Sequence, residues 1–407
     1  MKLYTLFFLL VTISSQVFSQ GFENKAFLVL SDSDIEVHSG IDTNDKIVFP
    51  GDLPQDQLIR ITPSPEGYTY SQQSAQNSAL NWNKSFALSK DSNLVIVAQT
   101  HLGIELDSKP TTPHQLVAYH PQTLKPTDSI SIGPNPYAVA IHPAGEFVAT
   151  VVDSVGSEIA LTSLRDGKFG QTFYFPTGVQ TSIRIRATDI AWHPSGQYLA
   201  ITLQETGMVA FYKLSLLGTR PVVQMNNNPL KIGKLPSAGQ FSPDGKHYLI
   251  MDLDGRTKPG RLLAIRCDFK QGGKHGLTAY LPVGINSSSF SISPDGKRIL
   301  VINKGSKSLP QQPSDKQQPA SLQFIERDPV SGKLKNLHQL DYDGLSPGFV
   351  QFSQDQNTVA VLTFQQKRTE EGAIDFFSIE NNQLVLKSEN RIPVPKGAHA
   401  MIILATD

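Results

Sequence analysis

The sequence predicts an all-β protein: a seven-bladed β-propeller of four-stranded blades, its ring closed by N- and C-terminal strands sharing one blade. Three observations carry this prediction. A pattern recurs about every 50 residues, each copy places a Ser/His-Pro-x-Gly type turn between two apolar runs, and the chain both starts and stops partway through a copy. A repeat of that length made of short strands means a propeller or an array.

The turns come first in the argument. Clear copies are Ile141-His142-Pro143-Ala144-Gly145, Trp192-His193-Pro194-Ser195-Gly196, Phe241-Ser242-Pro243-Asp244-Gly245 and Ile292-Ser293-Pro294-Asp295-Gly296. Degenerate copies are Leu88-Ser89-Lys90-Asp91-Ser92 and Phe352-Ser353-Gln354-Asp355-Gln356. Runs rich in Val, Ile and Leu follow each turn: Leu94 to Ala98, Phe147 to Val152, Tyr198 to Thr202, Tyr248 to Met251, Ile299 to Ile302 and Val359 to Leu362. Near-continuous apolar runs suit strands buried on both faces. Weaker third strands follow at Ser157 to Leu161 and Met208 to Tyr212, and a fourth at Gln171 to Phe175.

The seventh copy explains both ends of the chain. Gly397 to Leu404 matches a first strand with nothing after it, and Lys25 to Leu30 matches a second strand with nothing before it. Pairing the two completes a blade and removes exposed sheet edges. Six or eight blades are the alternative counts. Residues 55–84 read as a polar insert or long loop, and 306–319, rich in Gln, Pro, Ser and Lys, as a flexible loop.

Residues 1–19 have the form of a secretory signal peptide: Lys2, an apolar run from Leu3 to Ile13, then Val17-Phe18-Ser19 for cleavage. The run is shorter than the roughly 20 residues of a membrane-spanning helix, so no span is expected after cleavage. Residues 20–407 are then one propeller domain, placed in the periplasm or outside the cell. Cys267, the single cysteine, excludes an intramolecular disulfide and reads as a small core residue. Equal counts of 36 basic and 36 acidic residues give no field to attract nucleic acid.

Topology sorts the polar residues. If the first strand of each blade runs toward the Ser/His-Pro-x-Gly turn, that turn marks one face of the ring. Second-to-third-strand loops and blade-to-blade crossovers then share the opposite, crossover face. Candidate ligand-binding residues at its mouth are Arg184 and Arg186, before an inner strand, and Asp153, Asp252, Asp254, Arg256, His101 and Asn303, after second strands. Arginine can grip a carboxylate or phosphate with two parallel hydrogen bonds. A solvated rim whose charges pair with each other is the plainer reading. His142 and His193 occupy the repeat position filled elsewhere by Ser242, Ser293 and Ser353, which makes them turn residues.

Metal chemistry has little support. Asp252-Leu253-Asp254-Gly255 opens like a calcium loop, but Arg256 and Leu263 stand where ligands belong, and the ten histidines show no zinc-ligand spacing. No nucleophile elbow or phosphate-cradling glycine loop is present, and no cofactor is expected.

The stretch Ile132 to Gly145, with Phe241 to Lys246 and Ile292 to Arg298, resembles the repeats of seven-bladed lactonase-like and YVTN-repeat propellers, the 6-phosphogluconolactonase type among them. The resemblance implies a fold more than an activity. Its enzyme branch implies a Pro-His pair entering one blade and a glutamate after a second strand. Here the corresponding stretches read Arg186-Ala187-Thr188-Asp189, without His, and Leu203-Gln204-Glu205, with Gln204 near the position of the acid and Glu205 one residue late. Since a one-residue shift on a strand reverses the face, no catalytic residue is assigned. The leading expectation is an exported propeller, of unassigned activity, that binds a small molecule or protein at its loop-rich face. A lactone hydrolase or cyclase acting on a sugar-acid or muconate-like lactone is the less favoured alternative, and a scaffolding ring the third.

Overall fold

In the computed structural model, residues 22, 25–31, 57–64, 67–74, 84–99, 114–179, 186–253, 258–306, 318–366, 371–387 and 391–404 are described. They form seven antiparallel sheets around a central channel. From the channel outward, blade 1 is Phe86–Leu88, Val95–Gln99, Gln115–Tyr119 and Pro126–Ser131. Blade 2 is Ala138–Ile141, Phe147–Val151, Ile159–Arg165 and Lys168–Phe175. Blade 3 is Ala187–Trp192, Tyr198–Leu203, Met208–Leu217 and Arg220–Met225, with Leu230–Lys231 completing its outer edge. Blade 4 is Pro236–Phe241, His247–Asp252, Pro259–Arg266 and Gly276–Ile285. Blade 5 is Ser287–Ile292, Arg298–Asn303, Ala320–Arg327 and Leu334–Tyr342. Blade 6 is Gly344–Phe352, Thr358–Gln366, Gly372–Glu380 and Gln383–Leu386, with Ile392–Val394 extending its edge.

The closing blade joins the two ends of the chain. Ala398–Leu404 is its inner strand and pairs with Ala26–Ser31, placing Phe27 opposite Ile403 and Val29 opposite Met401. Its outer half corrects the reading of residues 55–84 as an insert: Gln57–Ser64 and Gly67–Ser74 are the third and fourth strands. Leu58, Ile59 and Ile61 are buried, whereas Tyr70 and its neighbours face solvent. An outermost strand with so little to bury carries no apolar pattern to betray it.

Seven apolar cores lie between blades rather than within them, one for each neighbouring pair. Strand geometry explains why the second strands are apolar at nearly every position, because successive side chains point to opposite faces. On Tyr198–Leu203, Leu199, Ile201 and Leu203 enter the core shared with blade 2, while Ala200 enters the core shared with blade 4. Each fully buried Leu, Ile or Val contributes about 1.5–3 kcal/mol.

Inside each Ser-Pro-Asp-Gly turn the serine bridges both arms. Ser242 Oγ donates to Asp244 Oδ1 at 2.6 Å and accepts from the His247 amide at 3.1 Å, and Ser293 repeats this with Asp295 and Arg298. These bonds hold the Asp244 and Asp295 carboxyls below the usual range despite partial burial. The glycine supplies a left-handed residue, φ +69° at Gly245; the degenerate copies force Ser92 and Gln356 to adopt the same conformation, at +58° and +66°.

His142 and His193 are turn residues, and they also join blades. His142 Nε2 donates to the Gly196 carbonyl at 3.1 Å, and His193 Nε2 to the Gly245 carbonyl at 3.1 Å. Each Nδ1 accepts a backbone amide two residues on, which fixes the neutral Nε2–H tautomer. Burial lowers both imidazole pKa values and keeps the rings uncharged. Between blades 4 and 5 the same function falls to Arg327, fully buried, which donates to Gly296 O at 2.6 Å and His247 Nδ1 at 2.8 Å. Arg298 donates to Gln356 O at 3.2 Å between blades 5 and 6.

Cys267 is partly buried against the core shared by blades 3 and 4, and burial pushes its thiol pKa up. Of the polar loop 306–319, residues 307–317 lie outside the described residues; its ends are held together by Gln318 N donating to Ser306 Oγ at 2.7 Å. The proposed signal peptide, 1–19, also lies outside them.

Candidate functional site

Inner strands of the ring start at the crossover face, and second strands end there, as the order of strands within each sheet requires. Between blades 2 and 3 this arrangement gathers four side chains. Arg186 precedes the inner strand of blade 3, and Asp153 follows the second strand of blade 2. Their closest atoms, Nε and Oδ1, are 3.9 Å apart. Glu205 approaches from the other side, with Oε1 3.8 Å from Arg186 Nη1. The guanidinium lies over the Tyr137 ring, 5.6 Å from its centroid, within range of a cation–π attraction.

Exposure separates the roles available to these groups. The Arg186 and Glu205 side chains are each 39% exposed and Asp153 is 12% exposed, so guanidinium and carboxylates meet at a mouth open to solvent. Among the described residues of this mouth, one formal cation stands against two formal anions. A carboxylate ligand would therefore meet net repulsion, whereas hydroxyl and carbonyl groups could bond both signs of charge.

The sequence set Glu205 aside on the ground that a one-residue shift reverses a strand face. That rule does not reach this position. The strand ends at Leu203, and Gln204–Thr206 is a single turn of 3-10 helix closed by Gly207 at φ +66°. A turn has no period of two, and Glu205 swings back toward Arg186.

Other predicted residues sit elsewhere. Asp252 is fully buried: its Oδ1 accepts the amides of Lys234 and Leu235 at 3.0 and 2.9 Å, and its Oδ2 takes a hydrogen bond from Arg261. Asn303 is buried too, accepting from Gly284 N at 2.9 Å and Ser287 Oγ at 2.6 Å while donating to Ser321. Both fasten a crossover to its blade instead of lining the mouth. His101, Arg184, Arg256 and Asp254 lie outside the described residues. Among the described residues, no group of three His, Cys, Asp or Glu is placed to hold a metal ion, and no helix is long and apolar enough to cross a membrane.

One polar constellation had no sequence signal. Lys84, ahead of the blade 1 inner strand, crosses the channel to Asp189 of blade 3, with Nζ 2.8 Å from Oδ1. The ammonium also donates to the carbonyls of Ile190 at 3.0 Å and Gly239 at 2.7 Å. Asp189 accepts the amides of Ile190 and Gly239 at 2.9 and 2.8 Å. Burial pushes the Asp189 carboxyl above the ordinary range; Lys84 and the two amides offset part of that rise.

Solved structures similar to this chain include three proteins described as lactonases. A periplasmic gluconolactonase from Pseudomonas aeruginosa superposes with a TM-score of 0.64 at 16% identity, covering 94% of this chain and 99% of its own. A candidate 6-phosphogluconolactonase from Bacteroides fragilis gives 0.64 at 15% identity, over 95% and 99%. Another from Bacteroides uniformis gives 0.62 at 14%, over 94% and 99%. At these identities the likeness shows the shared fold. No protein-family model and no curated protein matches the sequence.

Proposed function

We propose that this protein is an exported propeller whose crossover-face mouth, between blades 2 and 3, binds a neutral, hydroxyl-rich small molecule of the sugar-lactone class. The observation that carries the reading is Arg186 held between Asp153 and Glu205 above the Tyr137 ring, at 3.9, 3.8 and 5.6 Å. Two carboxylates can accept from sugar hydroxyls, the guanidinium can donate to a lactone carbonyl, and the buried Tyr137 ring beneath holds the guanidinium in place. The leader over residues 1–19 supports export, as does the periplasmic description of the Pseudomonas protein.

Lactone hydrolysis is the second reading. Half-exposed Glu205 lies beside a cation that could polarise a carbonyl, which is the pairing a base-assisted attack of water needs. The similar Pseudomonas structure is that of a gluconolactonase. Calorimetry and pH-stat assays with glucono-δ-lactone test both readings on the purified protein. Binding weakened at least tenfold by Arg186→Ala supports the site. Hydrolysis above the spontaneous rate, lost in Glu205→Gln while binding persists, supports the enzyme. Lactone binding untouched by both variants would remove this mouth from consideration.

A further inference from the structure

Within the ring, on the far side of Lys84 from the mouth, lies a cavity of about 500 Å³ bounded by Lys84 at one end and by Pro294 and Gln354 of the turn face at the other. Strand periodicity decides which side chains face it. Alternate residues of three inner strands line its wall: Ala238 and Gln240, Ser289 and Ser291, Phe349 and Gln351. None of these six is charged. Lys84 is the single charged residue on the lining, and its ammonium is engaged by Asp189 and two backbone carbonyls.

The polar side chains of this wall have no partner among the described residues. Ser289 is buried, Ser291 and Gln351 are half-buried and Gln240 is exposed, and none of the four side chains has a hydrogen-bond partner among the described residues. These side chains are therefore open to bond a guest that enters the cavity. Each glutamine presents both a donor and an acceptor, the complement of another amide. Phe349 and Ile402 add apolar surface to the same cavity. A charged guest would lose its water with no free counter-ion to replace it.

We propose that this cavity is a second binding site, reached from the turn face, for a neutral and compact ring compound bearing an amide, the class of a primary aromatic carboxamide. The ring lies on Phe349 and Ile402, and the amide bonds Gln351, Gln240 and the serine hydroxyls. The volume falls within the range of small-molecule sites, about 300–1,000 Å³. Nothing in this inference depends on the lactone reading, since the two sites lie at opposite ends of the channel.

Saturation-transfer NMR and calorimetry on the full chain, with benzamide, benzoate and benzylammonium as probes, test the proposal. Benzamide is expected to bind at least tenfold more tightly than either charged analogue. Ser291→Phe, which fills the cavity, should abolish binding, and Gln351→Leu should weaken it about tenfold. Arg186→Ala should leave benzamide binding unchanged, which separates this site from the mouth. Absence of benzamide binding, equal binding of benzoate, or binding that survives Ser291→Phe in a folded protein would overturn the proposal. Should Ser291→Phe fail to fold, Gln351→Leu decides, and affinity within twofold of the parent protein overturns it.

Discussion

Replacing Lys84 by methionine strips the cation from a carboxylate that no water reaches. Asp189 is 1% exposed, and Lys84 bonds it directly while holding the carbonyls of Ile190 and Gly239. Removing one partner of a buried pair costs about 3–5 kcal/mol, because the remaining charge stays buried. At about 2 cal mol⁻¹ K⁻¹ of unfolding entropy per residue, a chain of 407 residues converts that loss into a fall in Tm of about 4–6 °C. The sign of the pH dependence follows from the carboxyl. Without Lys84 its folded pKa rises further above the unfolded value of about 3.9, so the folded form binds more protons than the unfolded one. The deficit is therefore small at pH 5 and widens as pH climbs through the raised pKa. Adding Asp189→Asn removes the stranded charge and should restore at least half of the lost Tm. Differential scanning calorimetry of Lys84→Met and the double variant at pH 5 and pH 8 gives the result. A loss under about 1 °C, or one that does not change with pH, would refute the reasoning.

Acid should weaken the fold through its histidines. Burial holds His275 and His399 down at about 4, so stability is complete above about pH 6.5 and drains as pH falls toward 4, by about 3 kcal/mol per group at the low limit. Urea midpoints at pH 7.5, 5.5 and 4.5 should fall in that order, and a flat profile would contradict it. Arg327→Leu should raise the His247 pKa toward its ordinary value, since burial and then the guanidinium depress it, a shift readable by imidazole NMR. Gly196→Ala places a methyl group against the His142 ring at φ +74° and should cost at least about 1–2 kcal/mol in chemical unfolding.

The ring and its closure were legible because they rest on local, repeated chemistry. A turn that needs Ser or His, Pro, and a left-handed residue, followed by a strand facing two cores, leaves a mark in every copy. Strands exposed on their outer edge leave none, which is why Tyr68-Thr69-Tyr70-Ser71 passed for loop although Ser64 and Gly67 pair across the hairpin. At the mouth, Arg186 and Asp153 were found from topology, while Asp252 and Asn303, chosen by the same rule, turned inward to accept crossover amides. Position at a strand end says which face a residue reaches; the hydrogen bonds of the incoming chain decide where its side chain points. Lys84 and Asp189 meet across 105 positions of sequence, and the only available clue was an acid inside an inner strand, Asp189 of Ala187–Trp192.

The two faces of the ring divide its work by how their polar groups are satisfied. At the turn face the links run from blade to blade: His142 to Gly196, His193 to Gly245, Arg327 to His247 and Asp244, and Arg298 to Gln356. The links from His142, His193 and Arg298 each meet a backbone carbonyl of the next blade's turn, whereas Arg327 meets side chains of blade 4. At the crossover face Asp252 and Asn303 fasten crossovers to their blades, while Arg186 lies between Asp153 and Glu205 at a mouth open to solvent. Lys84 stands between the two ends of the channel. Its ammonium is held by three acceptors, and drawing it away would leave Asp189 stripped of its cation, at a cost of about 3–5 kcal/mol. Mouth and cavity lie on opposite sides of Lys84, and the two proposed sites would each be reached from its own face.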